Sequence, residues 1–169
     1  RELELIKIFS DKKKDAIDVG VYRGVYSYQL AKYYKHVYSY EPNPLIYPYL
    51  QKNLKKIISN ITIENFALSD AIGEIDLRIP KRFKSIFKEN IEEIYKLGCA
   101  SIHKKNKFNE FDSYKVKRQK LDNILKNKTV GFIKIDVEGH EKEVIKGSIE
   151  IIKKNKPILL VEIEERHSK

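Results

Sequence analysis

Two carboxylates at the end of an apolar run are the residues with the clearest potential for chemistry. Residues 132–141 read F-I-K-I-D-V-E-G-H-E, which predicts a buried strand that ends near Asp136 and Glu138 and leads at once into a helix. Ligands bind at the carboxyl edge of open α/β sheets, so these carboxylates are expected to face a cleft. There they could bind a substrate hydroxyl, act as a base or share a divalent cation. His140 is interpreted first as the start of the helix, and a place in the cleft is the alternative.

A second group of residues surrounds two glycines near the start of the chain. Residues 18–27 read D-V-G-V-Y-R-G-V-Y-S, and Gly20 and Gly24 would let the backbone pass close to a ligand. The amides of the following helix, which Ser27 could cap, favour an anionic or strongly accepting group. Asp18 could hold a ligand ammonium, directly or through water. The G-x-x-x-G spacing differs from the G-x-G-x-x-G of a dinucleotide site, and a tight turn that only requires glycine is the simpler alternative.

A third group, E-P-N-P, begins at Glu41, which lies 21 residues after Gly20. Nucleotide-binding α/β proteins place a carboxylate at about this distance to hold ribose hydroxyls. A carboxylate can accept hydrogen bonds from both the 2′ and the 3′ hydroxyl. Glu41 is therefore predicted to bind a ribose, with an ordinary helix-entry turn as the alternative.

Alternating strand and helix patterns provide the frame for these three groups. Such alternation with short connections predicts an α/β fold with a mostly parallel sheet sandwiched by helices. Core strands are predicted at 15–20, 37–41, 60–66, 130–137 and 157–163, and helices at 25–34, 44–58 and 140–154. A turn at Gly73 followed by an extra strand at 74–79 is predicted, which gives an extra β-hairpin after the third strand. A further strand is predicted at 114–118 and a short helical turn at 121–125. Residues 81–112 lack periodicity and are interpreted as a variable basic insertion or lid of a single domain, 1–169.

Length and composition restrict the class of protein. A chain of 169 residues suits one domain, and no apolar run or signal pattern suggests a membrane span or secretion. The single Cys99 excludes an intramolecular disulfide, and a cytoplasmic location is expected. Residues 81–120 hold 12 Lys or Arg and 5 Asp or Glu, within a net charge of +10. This segment is interpreted as a solvated surface, with binding of phosphates or anionic glycans as the alternative.

Four motifs in order resemble the FkbM-type S-adenosylmethionine-dependent methyltransferases. They are D-V-G-x-x-x-G-x-x-S, E-P-N-P, A-L-S-D-x-x-G and F-I-K-I-D-V-E-G-H-E, and the likeness runs from about residue 15 to residue 166. The resemblance implies a class I Rossmann-like methyltransferase, usually one that O-methylates sugars or polyketide hydroxyls. The family commonly has Ala-Asn where this chain has Val21-Tyr22. The chain starts without methionine and stops after the fifth core strand, so a longer protein with two further C-terminal strands is expected.

The resemblance also implies roles for individual residues. Asp18, Gly20 and Gly24 would line the methionine end of S-adenosylmethionine, Glu41 would hold its ribose, and residues 67–70 would flank its adenine. The complete set expected at the cofactor is Asp18, Gly20, Val21, Gly24, Ser27, Glu41, Pro42, Asn43, Ala67, Leu68, Ser69 and Asp136. Asp136, Glu138 and His167 are the candidate catalytic residues. Asp136, Glu138 and Glu162 are candidate ligands of a divalent cation.

Three other functions compete with this interpretation. The expected acceptor is a sugar, glycan or small-molecule hydroxyl, but the basic 81–120 segment also suits an RNA methyltransferase. Its aromatic residues could stack on bases, although the chain lacks the N-P-P-Y and P-C motifs of base methylation. A non-catalytic domain with a nucleotide cleft is the second rival. A nicotinamide-dependent oxidoreductase is the third, and the glycine spacing disfavours it.

Overall fold

The computed structural model describes residues 2–80, 100–102 and 110–163. The strands are β1 Asp15–Val19, β2 Val37–Tyr40, β3 Ile61–Glu64, β4 Ala67–Leu68, β5 Gly73–Pro80, β6 Phe111–Gln119, β7 Val130–Ile135 and β8 Ile158–Val161. The helices are α1 Glu2–Ile8, α2 Val25–Tyr33, α3 Tyr47–Ile57, α4 Leu121–Ile124, α5 Glu141–Lys146 and α6 Ile149–Asn155. Within these described ranges, no helix has the length and apolar character needed to cross a membrane.

A parallel sheet with the strand order β3-β2-β1-β7-β8 forms the centre of the molecule. Helices flank it, so the predicted α/β fold with a mainly parallel sheet is confirmed. The chain extends the sheet in one direction from β1 to β3 and in the other from β7 to β8. The order therefore reverses between β1 and β7, and the carboxyl edge of the sheet at such a reversal is the kind of place that binds ligands.

Apolar side chains cover both faces of the central sheet. On one face Phe132 of β7 packs near Tyr34, with ring centroids 5.8 Å apart. On the other face Ile133 and Ile135 pack with Leu121 of α4. Burial on both faces explains why the core strands are almost continuously apolar instead of alternating.

A second, three-stranded sheet with the order β4-β6-β5 contains the predicted extra strand, but this strand pairs with β6 and not with the residues before Gly73, so the predicted hairpin around Gly73 is wrong. β5 and β6 are antiparallel, and the very short β4 pairs parallel to β6. β6 begins at Phe111, so it includes the last two residues of the predicted insertion. Ser101 forms an antiparallel bridge with Arg78 of β5 through two backbone hydrogen bonds of 2.9 and 3.0 Å. The rest of the predicted insertion, 81–99 and 103–109, lies outside the described residues.

The prediction of one continuous helix over 140–154 is wrong. α5 ends at Lys146 and α6 starts at Ile149, and Gly147 between them packs against the Ser69 carbonyl so closely that a Cβ there would overlap it. The carboxylate of Asp122 then accepts hydrogen bonds from the backbone amides of Glu150 and Ile151. These bonds satisfy donors that the first turn of α6 leaves unpaired, so the interrupted helix costs little.

Candidate active site

A cavity of about 290 Å³ opens at the carboxyl ends of β1, β2 and β7. Its volume is near the lower end of the range for small-molecule sites, roughly 300–1,000 Å³. The second sheet forms part of its wall through Leu77, and residues 100–102 contribute Ala100 and Ile102. The full lining is Val19, Gly20, Tyr22, Tyr40, Glu41, Pro42, Ile46, Ala67, Leu68, Leu77, Ala100, Ile102, Asp136, Val137, Glu138, His140 and Glu162.

Gly20 is required for the ends of β1 and β7 to converge at the cavity. It has a φ of 79°, and a Cβ at this position would overlap the backbone carbonyl of Asp136. Both observations favour glycine alone, because the left-handed region is costly for other residues. The close backbone approach predicted at Gly20 is therefore in the first place a contact between the ends of β1 and β7.

Glu41 presents a buried carboxylate at the cavity wall. Its Oε2 accepts a hydrogen bond from the Tyr22 amide and its Oε1 accepts one from the Asn43 amide, both at 2.9 Å. Burial raises the pKa of Glu41, while these backbone bonds and the positive charge of Lys134 oppose the rise. The two amides fix the orientation of the carboxylate, and its lining position leaves it facing the cavity.

Tyr22 adopts a backbone conformation that is rare for its residue type. Its φ is 49°, in the left-handed region that asparagine tolerates better than an aromatic residue. In this conformation its amide reaches Glu41 while its side chain lines the cavity. The turn after Gly20 thus keeps the geometry that the Ala-Asn pair would favour, although this chain has Val21-Tyr22.

Asp18 lies behind the cavity wall, where it is completely buried. One carboxylate oxygen accepts a hydrogen bond of 2.6 Å from the Ser27 hydroxyl, and the other lies 3.4 Å from the Lys134 ammonium. Ser27 also contacts the Ser39 hydroxyl at 2.8 Å, so its side chain faces β1 and β2. Gly24, not Ser27, is the N-cap residue of α2, and no side chain caps the helix, so the predicted capping role is wrong.

Lys134 is a buried cation that sequence reasoning did not single out. It lies within the strand predicted before Asp136, and its charge was given no role there. Its ammonium lies 3.4 Å from Asp18 and 3.3 Å from Asp136, and it donates to the Gly20 carbonyl at 2.7 Å. Burial disfavours the charged form, but the two carboxylates outweigh this effect and raise the pKa of Lys134.

The other predicted cofactor residues divide into two groups. Pro42, Ala67 and Leu68 line the cavity, in agreement with a place near a ligand. Besides Asp18 and Ser27, four predicted residues do not line it: Val21, Gly24, Asn43 and Ser69. A Cβ on Gly24 would overlap the Leu54 side chain, so this glycine serves the packing of α2 against α3.

Asp136, Glu138 and Glu162 all belong to the cavity lining. Glu138 has a φ of 51°, and its carbonyl accepts a hydrogen bond of 2.7 Å from the Ser101 hydroxyl. Glu162 follows β8 and its amide donates to the Ile135 carbonyl. The structure therefore gathers the three candidate metal ligands, but within the described ranges no group of three His, Cys, Asp or Glu has a geometry that could hold an ion. The candidate base His167 lies outside the described residues.

His140 combines the two roles considered for it. It is the N-cap residue of α5, and its ring also lines the cavity. Its Nε2 lies 3.0 Å from the Ser69 hydroxyl and its Nδ1 lies 3.7 Å from Glu143. Burial lowers the pKa of His140, against the opposing effect of Glu143. A neutral ring held by Ser69 is thus favoured at this wall.

The charge of the cavity is opposite to the charge of the chain. Glu41, Asp136, Glu138 and Glu162 line it, and no lysine or arginine of the described ranges does so, whereas the whole chain carries +10. An apolar chamber with carboxylates at its wall favours a ligand that has both an apolar ring and positive charge or hydroxyl groups.

The comparisons with known proteins agree with this fold. Residues 18–169 match the family described as the methyltransferase FkbM domain, so the chain belongs to the FkbM methyltransferase family. The chain is also similar to the crystal structure of methyltransferase FkbM from Methylobacillus flagellatus KT, with a TM-score of 0.61 and 18% identity. That match covers 92% of this chain and 34% of the other, so the chain spans about a third of the length of that protein. No curated protein matches the chain.

Proposed function

We propose that the cavity binds S-adenosylmethionine and that the protein methylates a hydroxyl of a sugar, glycan or small molecule. The observation that carries the proposal is the Glu41 carboxylate, which two backbone amides hold at the wall of an apolar cavity at the strand-order reversal. A carboxylate in this place suits the paired hydroxyls of a ribose. Because the chain belongs to a methyltransferase family, we assign this ribose to the methyl donor S-adenosylmethionine.

The described lining fits the parts of this cofactor. Ile46, Leu68 and Leu77 are apolar members of the lining that also contains Glu41, and they would supply apolar contacts for an adenine ring. Asp136 and Glu138 lie where a sulfonium would gain from negative charge. Asp18 does not line the cavity, so it would affect the bound cofactor only through the residues that it contacts, such as Ser27.

Methyl transfer makes modest demands on the protein. The bound cofactor would supply an activated methyl group, and the chain must align an acceptor hydroxyl with it and remove one proton. Asp136, Glu138 and Glu162 of the cavity lining supply acceptors for hydroxyl protons. His167 remains a candidate base from the sequence. Among the described residues no group of three carboxylates has a geometry that could hold a divalent cation, so we assign no step to a metal.

The same carboxylates argue for an uncharged acceptor. A phosphate brought among Asp136, Glu138 and Glu162 would meet like charge, whereas sugar hydroxyls can donate to each carboxylate. We therefore place RNA behind glycans and small polyols as acceptors. We also propose a cytoplasmic location, on the single cysteine of the sequence.

Thermal unfolding of the protein with different ligands tests the cofactor. We expect S-adenosylhomocysteine to raise the melting temperature at saturating concentration, because a ligand that binds only the folded state stabilises it. NAD should give no shift, since the turn after Gly20 lacks a dinucleotide spacing. No shift with S-adenosylhomocysteine would refute the cofactor assignment.

Transfer of a labelled methyl group tests the acceptor. The protein would be incubated with labelled cofactor and either glycans or RNA, each with and without EDTA. We expect label in the glycan fraction, and loss of label with EDTA would establish a divalent cation in the reaction. Label found mainly in RNA would refute the proposed acceptor class while leaving the cofactor intact.

A further inference from the structure

The Lys134 side chain connects three parts of the cavity wall. Its ammonium, with the side chain only 5% exposed, donates to the Gly20 carbonyl at 2.7 Å. It lies 3.4 Å from Asp18 on β1 and 3.3 Å from Asp136 beyond the end of β7. Of these, Gly20 and Asp136 line the cavity, whereas Lys134 does not.

The remaining side of the ammonium is closed by an aromatic ring. The Lys134 ammonium lies 5.0 Å from the ring centroid of Tyr26 on α2, within the range of a cation–π contact. The Tyr26 hydroxyl donates in turn to Glu2 of α1 at 2.6 Å. The lysine is thus enclosed by groups from β1, α2 and the end of β7.

This arrangement is costly if its only purpose is folding. Burying an ammonium and a carboxylate loses hydration that their attraction only partly restores, and an apolar side chain of similar size is often no less stabilising. Asp18 is fully buried, while the Asp136 side chain is 33% exposed and reaches the cavity. This difference in exposure indicates that Lys134, itself anchored by the buried Asp18, holds the partly exposed Asp136 carboxylate in place.

We propose that Lys134 is a positioning residue that holds the Asp136 carboxylate toward the cofactor and the Gly20 carbonyl away from it. The inference rests on the proposed function, because it assigns to Asp136 a place beside the sulfonium. A carboxylate held there favours positively charged S-adenosylmethionine over the neutral sulfur of S-adenosylhomocysteine. Released from Lys134, Asp136 can turn toward water and this preference is lost.

The test compares variants in a background where the charges of Lys134 and Asp136 balance, so that Lys134→Met lowers the net charge of the network by one and Lys134→Arg leaves it unchanged. Asp18→Asn serves as the reference background, since it leaves Lys134 paired with Asp136. Adding Lys134→Met removes the anchor, and adding Lys134→Arg in its place retains a positive donor. Calorimetric titration gives the dissociation constants of both ligands for each variant, and thermal unfolding verifies that each one is folded.

We expect Lys134→Met to reduce the preference for S-adenosylmethionine over S-adenosylhomocysteine by about tenfold, the loss of one charge-assisted contact. Lys134→Arg should restore part of it. Asp136→Asn in the same background should give the same loss, and adding Lys134→Met to it should cause no further change.

Two results would overturn the inference. If Lys134→Met weakens both ligands by the same factor, or leaves the preference unchanged, the lysine only supports the fold. If it reduces the preference equally with and without Asp136→Asn, the lysine does not act through Asp136. A wild-type protein that binds neither ligand would refute the proposed function and this inference together, whereas intact wild-type binding with an unmoved preference refutes this inference alone.

Discussion

Replacing Glu41 by glutamine changes one charge in the cavity wall with almost no change in shape. The two oxygens of Glu41 each accept a backbone hydrogen bond of 2.9 Å, from the amides of Tyr22 and Asn43. Glutamine has one acceptor oxygen, so its amino group would face one of these donors. A buried donor without a partner costs about 1–3 kcal/mol, and we expect the free energy of unfolding to fall by this amount.

The same substitution should weaken cofactor binding. Hydrogen bonds to a charged group contribute about 1.5–3 kcal/mol, so losing the carboxylate should weaken S-adenosylhomocysteine by roughly tenfold to a hundredfold. Calorimetric titration measures the affinity, and urea unfolding measures the stability. Glu64→Gln is the matched control, because Glu64 is exposed and pairs in register with Tyr40, directly before Glu41.

The control separates the local effect from a general loss of charge. Glu64→Gln should change neither quantity beyond about 0.5 kcal/mol, as is usual for exposed positions. If Glu41→Gln binds S-adenosylhomocysteine as tightly as wild type, Glu41 does not hold the ribose. If stability also stays the same, the two backbone contacts do not matter in solution.

Three further predictions concern Gly20, Asp136 and His36. Gly20→Ala should destabilise the protein by more than about 2 kcal/mol in urea unfolding, because it adds overlap with the Asp136 carbonyl to the strain of a left-handed backbone. Gly73→Ala is the control and should cost less, because a Cβ there meets no atom within 4 Å. Equal losses of stability would contradict the overlap at Gly20. Asp136→Asn should bind S-adenosylhomocysteine yet lose at least about tenfold in turnover; unchanged turnover would remove Asp136 as the base. Burial lowers the pKa of His36, so the unfolded state takes up a proton first and stability should fall as the pH drops below about 6.5. His36→Gln, which keeps a partner for Thr62, should flatten this part of a stability–pH curve, and an unchanged slope would refute the assignment.

Much of the fold could be predicted because its signals are local. The core strands are apolar runs between turn residues, and the parallel sheet follows from their alternation with helices. Glu41 could be found because its distance from Gly20 reflects a fixed path, from the β1 turn through α2 to the end of β2. The prediction of a carboxylate at the cavity edge therefore needed no tertiary information.

The features that the sequence did not reveal depend on tertiary contacts. β4 has two residues, too few for any periodicity, and it exists because β6 lies beside it. The break between α5 and α6 lies at Gly147, where the Ser69 carbonyl, a group distant in sequence, packs against the backbone. Asp18 was expected at a ligand because it comes two residues before Gly20, and in the structure Lys134 lies opposite it in the register of β1 and β7 and pairs with it. A lysine between apolar residues of a predicted core strand is the sequence signal that points to such a partner.

A crystal structure of the protein with S-adenosylhomocysteine would show directly whether the cavity binds the cofactor with its ribose at Glu41. We predict ligand density in the cavity, with the ribose hydroxyls about 3 Å from the Glu41 carboxylate and the adenine against Leu68. The sulfur should lie nearer to Asp136 than to Glu41. Density elsewhere on the molecule, or a ribose directed away from Glu41, would contradict the account.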